Sequence, residues 1–464
     1  MLPVRIGDIT SAMQGRLHGL DPESMAGKLC TDTRLLQPGD LYWALEGETF
    51  DGHDFCEQAI RKGAQAVVIG KDKLPGLEVP SIRVADTLRA LGDVANFLRH
   101  KSQARFVGIT GSVGKTSTKE LIRAAIGQVL KTKATEGNLN NLIGVPKTLA
   151  EIEEDDQLAV LEMGIDRPGE MDRLSQIVEP EIGVITTIGE SHLERLGTVE
   201  KVLEEKSKLL RGLPEKGVAV VPHDSPFREE LIASSKAPAV TFGTVEGADY
   251  YAASPKLRTR GCYGFLLKTP VGEGEVELSV PGLHQVQAAT AAAAVGVSVG
   301  VPLEKLIQGL QTFSGVPGRC ELIELNRNIS VIADHYNANP VSMAAALRLL
   351  ETFLDRRRVM VAGEMWDLGV ESPNFHHLVG NKIGKSGVDF LFAVGPRTRR
   401  LVQGARESGF PGNKIRWFES TDQAASDLAR WLCEGDVVLV KGSRGMRLER
   451  VIESLAQSIG RKAS

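Results

Sequence analysis

An α/β fold divided into three domains is what the sequence predicts, and three observations carry that prediction. The chain has 464 residues, and at roughly 150 residues per domain that length suits about three. Two apolar runs, Leu158-Ala-Val-Leu161 and Ile182-Gly-Val-Ile185, are continuous rather than alternating, the pattern of parallel strands covered on both faces. Such strands alternate with helical patterns through two long stretches of the chain, as βαβ units do.

The first block, residues 1–102, opens with turn-rich sequence. It then reads as a strand at Asp40–Leu45, a short helix at Phe55–Lys62 and a strand at Ala66–Ile69. An amphipathic helix over Thr87–Leu98 closes it, with Leu88, Leu91, Val94 and Leu98 on one face. The second block, 103–314, begins with a strand at Phe106–Thr110. A helix carrying Leu121, Ile122, Ala125, Ile126, Val129 and Leu130 follows, then the strands at 158–161 and 182–185. Tyr250–Val280 alternates and contains glycine turns, the signature of an antiparallel ribbon, and an alanine-rich helix covers Gln285–Val299. The third block, 315–464, repeats the strand–helix alternation: strands at Ile329–Ala333, Arg358–Ala362, Phe390–Val394 and Val437–Val440, with a helix at Ser342–Phe353.

Composition excludes several classes. Hydrophobic residues are 42% and charged residues 25%, so the chain is neither disordered nor fibrous. Lys plus Arg is 55 against 59 Asp plus Glu, a net charge of −4, whereas a protein that holds nucleic acid by counterion release carries a basic surplus. Aromatics at 5% give little area for stacking bases. The five cysteines are dispersed and odd in number, so neither a disulfide framework nor a zinc knuckle is expected. Met1–Leu17 lacks the apolar core of a signal peptide, and the most apolar helix, Ala288–Val301, is too short and alanine-rich for a membrane span. A cytoplasmic protein with no membrane insertion is expected.

Thr110-Gly-Ser-Val-Gly-Lys-Thr-Ser117 joins the strand at 106–110 to the following helix, the setting a phosphate loop needs. Backbone N–H groups of Gly111, Ser112, Val113 and Gly114, with Ser117 at the helix start, suit phosphate oxygens. Lys115 can reach the β- and γ-phosphates, and the Thr116 hydroxyl can ligate Mg²⁺. ATP binding follows. Glu162 ends a parallel strand on the ligand edge of such a sheet and can face Thr116 as a metal ligand. His192, in the loop after the strand at 182–185, is either a ligand or polar surface. Lys206 falls on the apolar stripe of Val202, Leu203, Leu209 and Leu210; it either snorkels or is modified or paired in a site.

Taken together, these residues make the chain similar to the Mur ligases of bacterial peptidoglycan synthesis. The likeness spans nearly its whole length. Asp32-Thr-Arg34, Pro38-Gly-Asp40 and Asp51-Gly-His-Asp-Phe55 resemble the family's uridine-nucleotide-binding domain. The phosphate loop resembles the Mur loop, which lacks the first glycine of the common pattern, so Ile109 fits it. Thr135–Pro146 is similar to the substrate loop. Asp334-His-Tyr-Asn-Ala-Asn-Pro340, Gly363–Gly369, His376 and Val440–Arg444 extend the likeness through the third block.

The resemblance implies a small α/β N-terminal domain, a central P-loop parallel-sheet ATPase domain and a C-terminal Rossmann-like domain. It implies an enzyme that uses ATP and Mg²⁺ to join D-alanyl-D-alanine to UDP-N-acetylmuramoyl-tripeptide through an acyl phosphate. That reaction belongs to cell-wall biogenesis, and so to cell shape and division. Lys115, His192 and a carbamylated Lys206 would serve catalysis, and Thr116, Glu162 and His192 would bind metal. Arg319, Asp334 and Asn337 would meet ATP from the third domain. Thr31, Asp32, Thr33, Arg34, Gly52, His53, Asn138, Asn140 and Asn141 would bind the nucleotide-linked substrate. Gln285 and Ala288 stand where the family carries asparagines, Glu364 replaces an aspartate and His335 a serine. The expected enzyme acts as a monomer. The alternatives are a sister ligase adding a single amino acid, a folate polyglutamylating ligase, a small-molecule kinase and a nucleotide-switched binding protein. The identity of the tripeptide's third residue stays open.

Overall fold

The structure is a computed structural model that describes residues 2–462 apart from 48, 75 and 77. Three sheets organise it. The first is built from strands Arg16–His18, Ser81–Val84, Ala66–Gly70, Leu41–Trp43 and Leu29–Cys30 in that spatial order. All neighbours run parallel except the first pair. Helix Thr87–Lys101 covers one face. The Asp86 side chain accepts the Arg89 N–H at its start, and Arg99, His100 and Lys101 sit favourably in its last turn. Leu91, Val94 and Leu98 are buried as the periodicity predicts, but Leu88 is 39% exposed. It lies in the first turn, ahead of the packed stretch that begins at Ala90.

The central sheet has nine strands. Its parallel part runs Thr132–Ala134, Leu158–Glu162, Arg105–Thr110, Ile182–Ile185, Val218–Pro222, Ala239–Gly243. The expected ribbon at 250–280 is present as strands Tyr250–Leu257, Tyr263–Thr269 and Gly272–Glu277. It is not separate: Tyr250–Leu257 pairs in parallel with Ala239–Gly243 and extends the same sheet. The helix after the phosphate loop ends at Ile126, earlier than the apolar pattern suggests, and Val129 beyond it is 41% exposed. The direction in which successive strands are added reverses between the parallel neighbours Arg105–Thr110 and Ile182–Ile185. The first leads on toward Thr132–Ala134 at one edge, the second toward Val218–Pro222 on the other side. Loops leaving the C-terminal ends of two such strands splay apart and open a crevice.

The third sheet runs Glu321–Leu325, Ile329–Asp334, Val437–Lys441, Arg358–Ala362, Phe390–Val394, Ile415–Phe418, with only the first pair antiparallel. Helix Pro340–Glu351 starts at a reciprocal cap between Asn339 and Ser342. Helices Ser372–Lys385 and Thr398–Glu407 touch backbone to backbone: a Cβ on Gly404 would stand 2.1 Å from the His377 carbonyl oxygen. Alanine favours a helix interior over glycine by about 1 kcal/mol, yet here neither backbone can yield. Gly404→Ala is expected to lower unfolding free energy by about 1–3 kcal/mol, read as the midpoint of urea denaturation; an unchanged or higher midpoint would show that the helices can part freely.

Candidate active site

The phosphate loop is held from the neighbouring strand's loop. The Ser112 hydroxyl donates to the Gly189 carbonyl at 2.8 Å, and the Gly189 N–H donates back to that oxygen at 3.0 Å. The Val113 N–H donates to Thr187 Oγ1 at 2.9 Å, and Thr186 Oγ1 donates to the Val113 carbonyl at 2.6 Å. Gly111 has φ 153°, and a Cβ there would fall 2.0 Å from Thr186 Oγ1, so no other residue fits this turn. Gly114, at φ 88°, caps helix Lys115–Ile126, whose N-terminus faces the crevice.

Lys115 folds back across the loop, its Nζ donating to the Gly111 carbonyl at 2.8 Å. Burial lowers its ammonium pKa, Glu162 opposes that shift, and Arg319 adds to it. Thr116 Oγ1 donates to Glu162 Oε2 at 2.8 Å, and Asn140 Nδ2 donates to the other carboxylate oxygen at 2.9 Å. Thr135 Oγ1 accepts the Glu162 N–H at 2.9 Å. The expected Thr116–Glu162 pair is therefore in direct contact. His192 lines the same cleft. Its Nδ1 lies 2.8 Å from Asp166 Oδ1, a contact that holds the Asp166 carboxyl below its usual range. Among the described residues no three His, Cys, Asp or Glu side chains converge as a metal cluster.

Lys206 lies in helix Val199–Arg211 and is fully buried, and its Nζ has no hydrogen-bond partner. Burial first, and repulsion from Lys115 second, depress its pKa well below the ordinary lysine value.

The C-terminal sheet closes the opposite wall of a cleft of about 450 Å³. Arg319 stacks on the Tyr336 ring at 4.1 Å. Asp334 Oδ2 accepts the Lys441 ammonium at 2.7 Å, and that ammonium also donates to the Asn337 carbonyl at 2.9 Å. Lys441, 1% exposed, His284, Tyr336 and Asp166 line this cleft and were not among the expected site residues. Burial holds the His284 imidazole down to about 4, so it stays neutral. Gln287 and Ala288 also line the cleft.

Asn138, Asn140 and Asn141 reach the cleft from the Thr135–Pro146 loop. The Asn141 side-chain oxygen is taken by the N–H groups of Ile143 and Gly144. The N-terminal residues do not line it. Thr31–Arg34 follow strand Leu29–Cys30, and Gly52 and His53 follow its parallel neighbour Leu41–Trp43. They gather at one edge of the first sheet. Arg34 grips Asp32 through Nε and Nη2, which holds the Asp32 carboxyl at about 2. The Thr33 carbonyl accepts Lys62 Nζ at 2.7 Å. Both His53 ring nitrogens are occupied within the domain: Nδ1 by Asp51 at 2.5 Å, Nε2 by the Gly70 N–H at 3.0 Å.

Residues 28–99 match the Mur ligase family catalytic domain, 109–296 the Mur ligase middle domain and 318–444 the Mur ligase glutamate ligase domain. The UDP-N-acetylmuramoyl-tripeptide–D-alanyl-D-alanine ligases of Escherichia coli and Bacillus subtilis are each 34% identical, over 99% of this chain and 99% of their own. The crystal structure of MurF from Acinetobacter baumannii superposes with a TM-score of 0.91 at 33% identity, covering 98% of this chain and 99% of that one. MurF from Thermotoga maritima in complex with ADP gives 0.83 at 27% identity, covering 93% and 98%. With a phosphate loop, an acidic partner and a facing C-terminal sheet in one cleft, and this likeness over the full length, the chain belongs to the Mur ligase family.

Proposed function

We propose that this chain joins D-alanyl-D-alanine to UDP-N-acetylmuramoyl-tripeptide with the hydrolysis of ATP to ADP. One observation carries the reading: in a chain matched end to end by ligases of that name, Lys115, Thr116 and Glu162 face Arg319, Asp334 and Asn337 across one cleft. A peptide carboxylate is a poor electrophile. Its oxygen attacks the γ-phosphorus, ADP leaves, and the resulting acyl phosphate is then attacked by the dipeptide amine, which expels phosphate and forms one amide bond.

The residues divide this work by position. Backbone N–H groups of 111–117 cradle the phosphates, and Lys115 meets charge developing on the transferring group. Thr116 Oγ1 and Glu162 Oε2, hard oxygen donors 2.8 Å apart, are the pair that would hold Mg²⁺. His192 would offer one nitrogen to a second ion. Bound Mg²⁺ supplies charge neutralisation on the phosphate oxygens. Arg319, Asp334 and Asn337 contact the nucleotide from the third domain, and Asn138 and Asn140 line the path of the peptide. The edge formed by Thr31–Arg34 with Gly52 and His53 grips the uridine nucleotide. Residues 1–102, 103–314 and 315–464 thus act as three functional units, the last bringing the dipeptide and excluding water from the acyl phosphate. Every residue given a role here comes from one chain, which supports action as a monomer. Among the described residues no helix is long and apolar enough to cross a membrane, in keeping with an enzyme working where ATP and nucleotide precursors are found, in the cytoplasm.

Phosphate release is expected only when a UDP-muramoyl tripeptide and D-alanyl-D-alanine are both present, with one amide formed per ADP. The assay crosses UDP-muramoyl peptides with D-alanyl-D-alanine, D-alanine and L-amino acids. Equal turnover with a single amino acid would transfer the chain to a sister specificity.

A further inference from the structure

His192 and Asp166 come from two separately anchored loops. Asp166 lies four residues beyond Glu162, so the strand that delivers the carboxylate partner of Thr116 also delivers Asp166 to the cleft. Its own N–H donates to Glu170 Oε2 at 2.7 Å, and the same oxygen accepts the Arg167 N–H, which fixes the turn. His192 sits on the loop that holds the phosphate loop, where the Ser191 hydroxyl donates to Ser112 Oγ at 2.9 Å. Its backbone is left-handed, φ 53° and ψ 29°, an uncommon state for a residue with a side chain. The Arg195 and Leu196 N–H groups both donate to its carbonyl. Asp166 Oδ1 approaches His192 Nδ1 to 2.8 Å, while Arg195 stands 3.9 Å from the other oxygen.

We propose that Asp166 is a positioning residue for His192, fixing the imidazole in the tautomer with its proton on Nδ1 and leaving the Nε2 lone pair to the cleft. An ionised carboxylate only accepts, so this contact requires an N–H on Nδ1. In a neutral ring Nε2 is then bare, the form a cation can use, whereas an imidazole in water carries its proton mainly on Nε2. A carboxylate behind a ligating histidine sets its tautomer and direction together. The consequence for metal rests on the reading of His192 as a ligand; the positioning itself does not.

The test uses the full-length protein labelled with ¹⁵N-histidine, free of metal and nucleotide, at a pH above imidazole titration, with His192→Gln identifying the signals. Native His192 is expected to show a protonated Nδ1 and a bare Nε2. Asp166→Ala should move the ring to the Nε2–H form. Asp166→Asn, whose amide oxygen still accepts, should keep much of the native pattern, and thermal melts check that each variant folds. A native His192 that is mainly Nε2–H overturns the proposal even if no variant folds, and so does a tautomer unchanged in folded Asp166→Ala. Mn²⁺ added with ADP should broaden the His192 signals selectively, and Asp166→Ala should weaken Mn²⁺ binding by about tenfold or more. A native tautomer as expected without that broadening upholds the positioning and counts against His192 as a metal ligand.

Discussion

Lys115→Ala is expected to slow amide formation by on the order of 10³-fold or more, equivalent to about 4 kcal/mol of activation free energy. The side chain projects from the first turn of helix Lys115–Ile126, and its ammonium is held over the loop by the Gly111 carbonyl. In the proposed reaction that tether would keep a positive charge near the transferring γ-phosphoryl group. The same charge is less important when ATP merely binds, because the backbone N–H groups of 111–117 remain. The loss should therefore fall mainly on kcat, with a smaller rise in KM for ATP. Stability should change little: removing one hydrogen bond at a partly exposed position costs about 1 kcal/mol. Phosphate release measures the first effect and thermal denaturation the second. Turnover within tenfold of the native rate, in a folded variant, would remove Lys115 from the chemistry.

The parts of this site that could be read from sequence are those whose chemistry is local. Gly111 to Thr116 are consecutive, and a strand before and a helix after suffice to set their geometry. Glu162 is legible because continuous apolar strands are parallel and end on the ligand edge. Lys206 is legible because helical periodicity alone turns it inward. The contacts that cross between elements were not. Lys441 becomes a site residue only when strands Val437–Lys441 and Ile329–Asp334 lie side by side and bring its ammonium to Asp334. Asp166 acquires its meaning from His192, 26 residues further on in a different loop. The need for glycine at 111 comes from Thr186, just past the end of the adjacent strand Ile182–Ile185. In the same way alternation at 250–280 reveals an antiparallel ribbon but not its docking, since the parallel pairing with Ala239–Gly243 involves only two residue pairs. Val129 shows the converse failure: an apolar period can run past the turn at which a helix ends.

Lys206 is expected to carry CO₂ in the active enzyme. Its Nζ is buried without a partner, and a bare ammonium there would be strongly disfavoured. Lys115 repels it further, and the carboxylates of Asp166 and Glu205 compensate only in part. The depressed pKa raises the share of neutral amine, the form that attacks CO₂. The N–C bond forms, one proton is released, and the product is an anionic carbamate. The product is an anion with two oxygen acceptors, electrostatically coupled to Lys115 and Asp166 of the cleft, where it would attract the proposed Mg²⁺ rather than repel it. The sign of the pH dependence follows. As pH falls the carbamate takes up a proton and loses CO₂, so activity should drop on the acid side and be partly restored there by added bicarbonate. Lys206→Ala should lose most activity, about 10²-fold or more if the carbamate contributes roughly 3 kcal/mol to the transition state, and a short carboxylate such as acetate should return part of it. With ¹³C-bicarbonate the native protein should give a carbamate carbon signal that Lys206→Ala lacks. Absence of that signal in fully active enzyme would leave Lys206 as an unmodified buried lysine with a purely structural role.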